Sequence, residues 1–485
     1  MRFKLFCPPL LSLKFHSTVS LLLAVQILTS CKKEETFPAL GERIANPIDV
    51  AVDSSEQYFY ALNSDYPRDY NQGSLLVLNT EGVKQTVVSL PRLGRSLTVA
   101  GSTLIVTLSN SGESSSKIML FDLTNPKDPT LARTFQPDNC NPINATAKSG
   151  YKYWAIACSN GNLMAGELTT PLSNSTLKLV RSYPVPRRAM HLDSTRNLLL
   201  AFPTDLGDQT LVDVMLDDSK SYSEDTGAES AAPNEIPDYY ERTRTERSNK
   251  ARRGTYQFAV YDLAKAAADG WPEKDAKASM TELRWIYFNL ADTDGTLDMP
   301  ATDSNGSIRY YRTNFWETKP DPTDADVFYL SHRGSKDPNR GGSLHANNII
   351  KVRITGDLQS PSLLTKDVLS FERVYGFKNE LAQTDRHFLG DFELATIQGK
   401  SVVLVNHFRD LVNWPGQAYF SLATKVLGDN SWFAETSSTS SAKSYYQVAL
   451  TSSGRALAAN FYGNSLILLD VAPGVGITEK AINIQ

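Results

Sequence analysis

The sequence is short of nearly everything that announces a reaction. Its 485 residues hold four cysteines and six histidines. No Cys-x-x-Cys pair and no two histidines at helical spacing occur, so the spacings that prepare a zinc site are missing. There is no G-x-S-x-G elbow, no P-loop and no Rossmann glycine fingerprint. Positive charge is also scarce. Beyond residue 30 the balance is 46 basic against 53 acidic residues, or −7, which gives no general footprint for nucleic acid. No stretch beyond the N-terminal leader is apolar for long enough to cross a bilayer. Glycine (28), proline (24) and charge (21%) are ordinary, which argues for a folded chain. Its length allows a large core, even several domains.

What is present begins with a leader. Arg2, Lys4 and Lys14 precede an apolar run over 19–28, broken only by Ser20 and Gln26. That run is shorter than the roughly 20 residues of a membrane span and has the form of a signal-peptide core. It ends in Leu28-Thr29-Ser30-Cys31, which resembles the bacterial lipobox. The resemblance implies cleavage before Cys31, acylation of its thiol with chains such as palmitate, and anchorage in a lipid bilayer. Lys32, rather than Asp, follows the cysteine; in double-membrane bacteria this implies sorting to the outer membrane. Residues 32–45 would form a polar tether reaching about 45 Å at roughly 3.3 Å per residue.

With Cys7 in the leader and Cys31 acylated, Cys140 and Cys158 remain. They stand symmetrically about a turn near Ser149-Gly150, which places them directly opposite across a hairpin. Opposed residues lie about 4.5–5.5 Å apart at Cα, within disulfide range, and an exported compartment is oxidising. The spacing predicts a Cys140–Cys158 bridge.

From residue 47 onward the pattern is strand after strand. Residues 47–90 read as IDVAVD, YFYALNS, SLLVLN and QTVVSL, separated by turn residues. Similar units begin at 95, 142 and 188, at spacings of 48, 47 and 46. Four strands per period of about 40–50 residues is the pattern of a β-propeller. A polar insertion over 205–253 interrupts the fourth unit, and 264–278 reads as a short helix. Three further units follow, opening at IRYYRTNFW, FELATI and YYQVALT. The expectation is an all-β, seven-bladed propeller over 46–485, with four antiparallel strands per blade.

YFYALNS…GSLLVLNTEG (58–82) and RALAANFYGNSLILLDVA (455–472) resemble the YVTN-type propeller repeat. Asn63 and Asn460 stand at its Asn position, Asn79 and Asp470 at its acidic one. The resemblance covers most of 47–485, more loosely in the third to sixth units. It implies fold, not activity: such proteins include surface proteins, binding modules and a minority of sugar-lactone enzymes. It also implies that the loops joining second to third strands share a face with those joining blades. On this chain those loops are the long ones, 64–73, 203–254, 332–348 and 407–416, where binding residues concentrate.

Candidate site residues fall in three groups. The starts of the innermost strands carry Asn46, Arg95, Asn141, Arg187, Arg188, Arg309, Arg386, His387 and Lys443. Cations converging on the channel would focus an anionic ligand such as an acidic glycan; paired with neighbouring carboxylates, they would be structural. In the sixth unit, counting about Gln398-Gly399 sets Asp391 opposite His407. With Arg386 and His387 this offers weak catalytic candidates, since a His beside a carboxylate can serve as a base. Asp292, Asp294 and Asp298 resemble the calcium loop of integrin-type propellers, with oxygen ligands suited to Ca2+, although Leu290 stands where the first ligand belongs. The leading expectation is a membrane-anchored binding or scaffold module for an envelope protein or polysaccharide. The alternative is a hydrolase or lactonase-like enzyme at the channel mouth.

Overall fold

The computed structural model describes residues 37–480, apart from 110–114, 183–185, 203, 205–254, 273–281, 290–314, 333–334, 338–341, 345–347, 359–367, 376–386, 410–419, 429–433 and 439–444. No helix among the described residues is long and apolar enough to cross a membrane.

Seven four-stranded antiparallel sheets follow one another along the chain. Their innermost strands are Pro47–Val52, Gly94–Ala100, Pro142–Thr146, Ala189–Asp193, Phe315–Pro320, His387–Ile397 and Tyr445–Leu450. They open blades 1 to 7. A two-stranded hairpin, Ser335–Asp337 with Gly342–Leu344, is inserted in blade 5. In blade 4 the second strand ends at Phe202 and the third begins at Thr255, so the polar insertion joins second to third strands and lies outside the described residues. The helix expected over 264–278 is Leu263–Ala268, capped by the Asp262 carboxylate accepting from Lys265 N.

Strands form because apolar residues fill both faces of each sheet. In blade 1, Phe59, Tyr60, Ala61 and Leu62 are all buried, as a sheet covered on both sides requires. The core is accordingly not one centre. Seven apolar clusters each fill one seam between neighbouring blades. Trp154, wholly buried between blades 2 and 3, also donates its indole N–H to Thr176 O at 3.0 Å.

The ring closes without exchanging a strand. Blade 1 is wholly N-terminal and blade 7 wholly C-terminal, so their seam rests on packing, with Val50, Phe59 and Leu76 against Ala449, Leu457 and Leu468. Side-chain hydrogen bonds bridge every seam. Asp49 Oδ2 accepts from Leu97 N at 2.6 Å, Thr98 Oγ1 donates to Ala145 O at 3.0 Å, and Asn144 Nδ2 donates to Arg188 O at 3.0 Å. Thr318 Oγ1 donates to Met190 O, and Lys319 Nζ to Glu393 Oε1 at 2.6 Å. Asn406 Nδ2 donates to Tyr445 O at 2.8 Å, and Asn46 Nδ2 to Phe461 O at 3.2 Å, returning to blade 1.

Three sequence expectations change in detail. Cys140 and Cys158 are bridged, with Cα atoms 5.2 Å apart, but are not directly opposed. A register irregularity pairs Cys158 with Pro142, so Cys140 lies just beyond the ladder. The fifth inner strand is Phe315–Pro320, later than the IRYYRTNFW segment, most of which lies outside the described residues. Asp391 does not face His407. The ladder pairs His407 with Leu389, then shifts register before Phe392 pairs with Val405. A β-bulge of this kind leaves a residue outside the alternation.

The bridge carries a testable cost. Its sequence separation is 18, and closing a loop of that size in the unfolded chain stabilises by about 3 kcal/mol. Reduction should lower the unfolding midpoint of the wild type and leave a Cys140→Ser/Cys158→Ser variant unchanged. Equal midpoints for oxidised and reduced wild type would refute this.

Candidate functional site

Inner strands meet at the propeller axis, and a recurring bulge decides what they present there. Register breaks fall between Pro47 and Asp49, Gly94 and Ser96, Phe315 and Thr318, Leu389 and Phe392, and Tyr445 and Gln447. Blade 3 has its break beside Asn144, whereas the blade 4 inner strand pairs regularly and is preceded by Arg188. Bulges re-aim side chains. In six blades they set a polar group at the equivalent place in the inner strand, Asp49, Ser96, Asn144, Glu317, Asp391 and Gln447, and in blade 4 Arg188 stands just before the strand. Lys319 and Glu393, two residues further along their strands, deepen the ring.

These groups act on each other across the axis. The Asp49 carboxyl, in blade 1, is pushed up to about 7 by burial, against the Leu97 N–H bond and the charges of Arg188 and Lys319 in blades 4 and 5. Burial also raises Asp391 and Glu393, with Lys319 opposing the rise in both. Lys319 is held above the usual lysine range because Glu393, Asp391 and Glu317 outweigh its own burial. The terminal nitrogens of Arg188 are engaged. It donates to Ile143 O at 2.9 Å, pairs with Glu317 Oε2 at 3.4 Å and lies over the Trp316 ring at 4.3 Å.

Arg95 differs. No carboxylate among the described residues pairs with it. Burial lowers its pKa; the phenol groups on the nearby Tyr446 and Tyr66 rings act against this, and Arg188 acts with it. Those rings belong to an aromatic group at the mouth, where the inner strands start. Tyr66 and Phe461 centroids are 6.1 Å apart, Tyr446 and Phe461 5.4 Å, Phe461 and Tyr462 5.1 Å. Tyr66 is 61% exposed and Tyr462 52%.

The repeat asparagines hold the loops that carry these rings. Asn63 Nδ2 donates to Ser74 Oγ at 2.8 Å, and Asn460 Nδ2 to Ser465 Oγ at 2.7 Å. Around Tyr66, the Asp65 carboxylate accepts from Asp69 N at 2.9 Å and pairs with buried Arg92 at 3.3 Å. Gly73 closes the same loop: a Cβ there would sit 2.8 Å from Asn63 O and 2.9 Å from Pro91 O.

Of the sequence candidates, Arg95, Arg188 and Asp391 reach the axis. Asn46 has φ +47° and joins blade 1 to blade 7 through Phe461 O and Asn464 Oδ1. Asn141 accepts from Ser159 N and Ser116 Oγ, and Arg187 is buried. Arg309, Arg386, Lys443 and the calcium-loop candidates Asp292, Asp294 and Asp298 lie outside the described residues, as does Cys31. Among the described residues no group of three or more His, Cys, Asp or Glu could hold a metal ion. Sequence reasoning passed over Asp49, Glu317, Lys319, Glu393 and Gln447, and the aromatic group of Tyr66, Tyr446, Phe461 and Tyr462. The paired aromatics Tyr445-Tyr446 and Phe461-Tyr462, one pair opening a strand and the other in a turn, were the available signal.

No protein-family model matches the sequence, and no curated protein matches it either. Solved structures do resemble it. The β-propeller domain of Cps50 (Swd1) from Myceliophteria thermophila aligns with a TM-score of 0.51 at 9% identity, covering 89% of this chain and 98% of that one. Sqt1 from Saccharomyces cerevisiae aligns at 0.44 and 8% identity, covering 90% and 85%. Identity this low speaks for the fold alone. The chain is a seven-bladed β-propeller.

Proposed function

We propose that the protein is a non-enzymatic binding module whose ligand docks at the channel mouth, on the surface formed by Arg95, Tyr66, Tyr446, Phe461 and Tyr462. The observation that carries this reading is Arg95, a half-buried cation with no carboxylate partner among the described residues, set beside exposed aromatic rings. Aromatic rings and arginine supply much of the energy at binding surfaces. The enzyme alternative loses the pairing it relied on, because the strand register sets Leu389, not Asp391, opposite His407.

Affinity capture from an envelope fraction tests the assignment. Tyr66→Ser and Phe461→Ser should each lower recovery of the bound ligand by about tenfold, the effect of 1.4 kcal/mol. Val475→Ser, in a turn on the opposite face, should leave recovery unchanged. Equal recovery by all three variants would sink the mouth as the binding surface.

In the same reading the propeller is anchored in the outer membrane through acyl chains on Cys31, close to an envelope protein or anionic glycan, and its YVTN-type kinship rests on Asn63, Asn79, Asn460 and Asp470. The support for anchorage is the lipobox-like sequence. Mass spectrometry of the N-terminal peptide should find Cys31 first and acylated; an unmodified Cys31 within an uncleaved leader rules it out.

A further inference from the structure

We infer that the mouth takes a sugar ring bearing a single carboxylate, a uronic-acid type of residue; this rests on the binding-module reading above. Three separate observations converge on that chemistry. The first is Arg95, whose guanidinium has no carboxylate partner among the described residues. The second is the aromatic group of Tyr66, Tyr446 and Phe461, held in the loops and strand that adjoin it. The third is Gln447, only 6% exposed, whose side-chain oxygen has no hydrogen-bond partner among the described residues. Gln447 follows the blade 7 bulge just as Asp49 follows that of blade 1, so it belongs to the same axial ring.

Each feature asks for a different part of one molecule. A buried acceptor without a partner is costly until a donor reaches it, and a sugar hydroxyl is such a donor. Aromatic faces pack against the apolar C–H face of a pyranose. A carboxylate completes Arg95 with charge-assisted hydrogen bonds. A neutral sugar would leave the guanidinium desolvated and unpaired. A phosphate chain would bring excess charge, because the axis already holds Asp49, Glu317, Asp391 and Glu393 against Arg95, Arg188 and Lys319. Arg188 and Lys319 are each bonded to a carboxylate, which among the axial cations of the described residues leaves Arg95 for one negative charge.

Calorimetric titration of the full-length protein with trigalacturonate and with its methyl ester tests the inference. The ester keeps the ring and hydroxyls and removes the charge. The acid should bind at least about tenfold more tightly than the ester, as expected for one charge-assisted bond of about 1.5 kcal/mol or more. Arg95→Gln should abolish that preference. Tyr66→Ala, at a largely exposed position, should weaken both probes several-fold without touching the fold. Equal binding of acid and ester, an undiminished preference in a folded Arg95→Gln variant, or no binding of either probe each overturns the uronate assignment. If that happens while Tyr66→Ser and Phe461→Ser still lower affinity capture about tenfold, the binding-module reading stands and only the ligand class falls.

Discussion

Replacing Lys319 by Met is expected to destabilise the protein by about 3 kcal/mol at neutral pH, the low end for breaking a buried ion pair. The low end applies because the side chains of Lys319 and Glu393 keep 24% and 22% of their exposure. Lys319 Nζ lies 2.6 Å from Glu393 Oε1, and Asp391 and Glu317 also favour its charge. Methionine fills similar volume, so the loss reports charge rather than a cavity. Three carboxylates would be left facing one another with only Arg188 close by. The expected signature is a lower urea midpoint at pH 8 and a smaller loss at pH 5, where the carboxyl groups take up protons. The double variant Lys319→Met/Glu393→Gln should recover part of the loss, as coupled neighbours do. A loss under about 1 kcal/mol, the ordinary worth of an exposed pair, would show that the axial network is solvated and loose.

The second large effect concerns acid. Wild-type stability should fall as pH rises from about 4 to about 7. The Asp49 carboxyl titrates near 7 in the folded protein and near 3.9 unfolded. Between those values the folded state holds a proton that the unfolded state has released. Its contribution is therefore fully present below about 4 and is lost as pH climbs through 7. A three-unit difference corresponds to about 4 kcal/mol. Asp391 and Glu393, both raised chiefly by burial, push in the same direction. Lys319 stays charged throughout and adds no slope. Asp49→Asn cannot titrate and should flatten the profile, at the cost of weakening the acceptor for Leu97 N. Urea midpoints across pH 4 to 8 decide the matter. If both proteins show the same slope, Asp49 is not the group that holds the proton.

The two effects share a cause. Ring closure forces seven inner strands against one axis, and bulges in six of them re-aim polar side chains. Burial there penalises charge, so carboxyl groups rise and cations are retained only with partners. Among the described residues Arg95 is the exception, at the mouth beside Tyr446 and Tyr66. That asymmetry sets the paired charges of the axis apart from Arg95 at the mouth.

Much of this could be read before any coordinates. The alternation of apolar residues is a local property, so the four-strand units, their near-constant spacing and the ring of seven all follow from the residues alone. The Cys140–Cys158 bridge followed too, because hairpin proximity survives a one-residue error in register. The Asp391–His407 pairing did not survive it, since moving a strand by one residue sends every side chain to the other face. Nor was the fifth inner strand placed by pattern: IRYYRTNFW ends at Trp316, whereas the strand is Phe315–Pro320. What the sequence by itself determined was the repeating unit, which depends on neighbours a few positions apart. What the tertiary structure alone decided was the company each polar residue keeps. Asp49, Arg188, Glu317 and Asp391 meet because the chain closes on itself, and no periodicity within a strand records which residues closure will bring face to face.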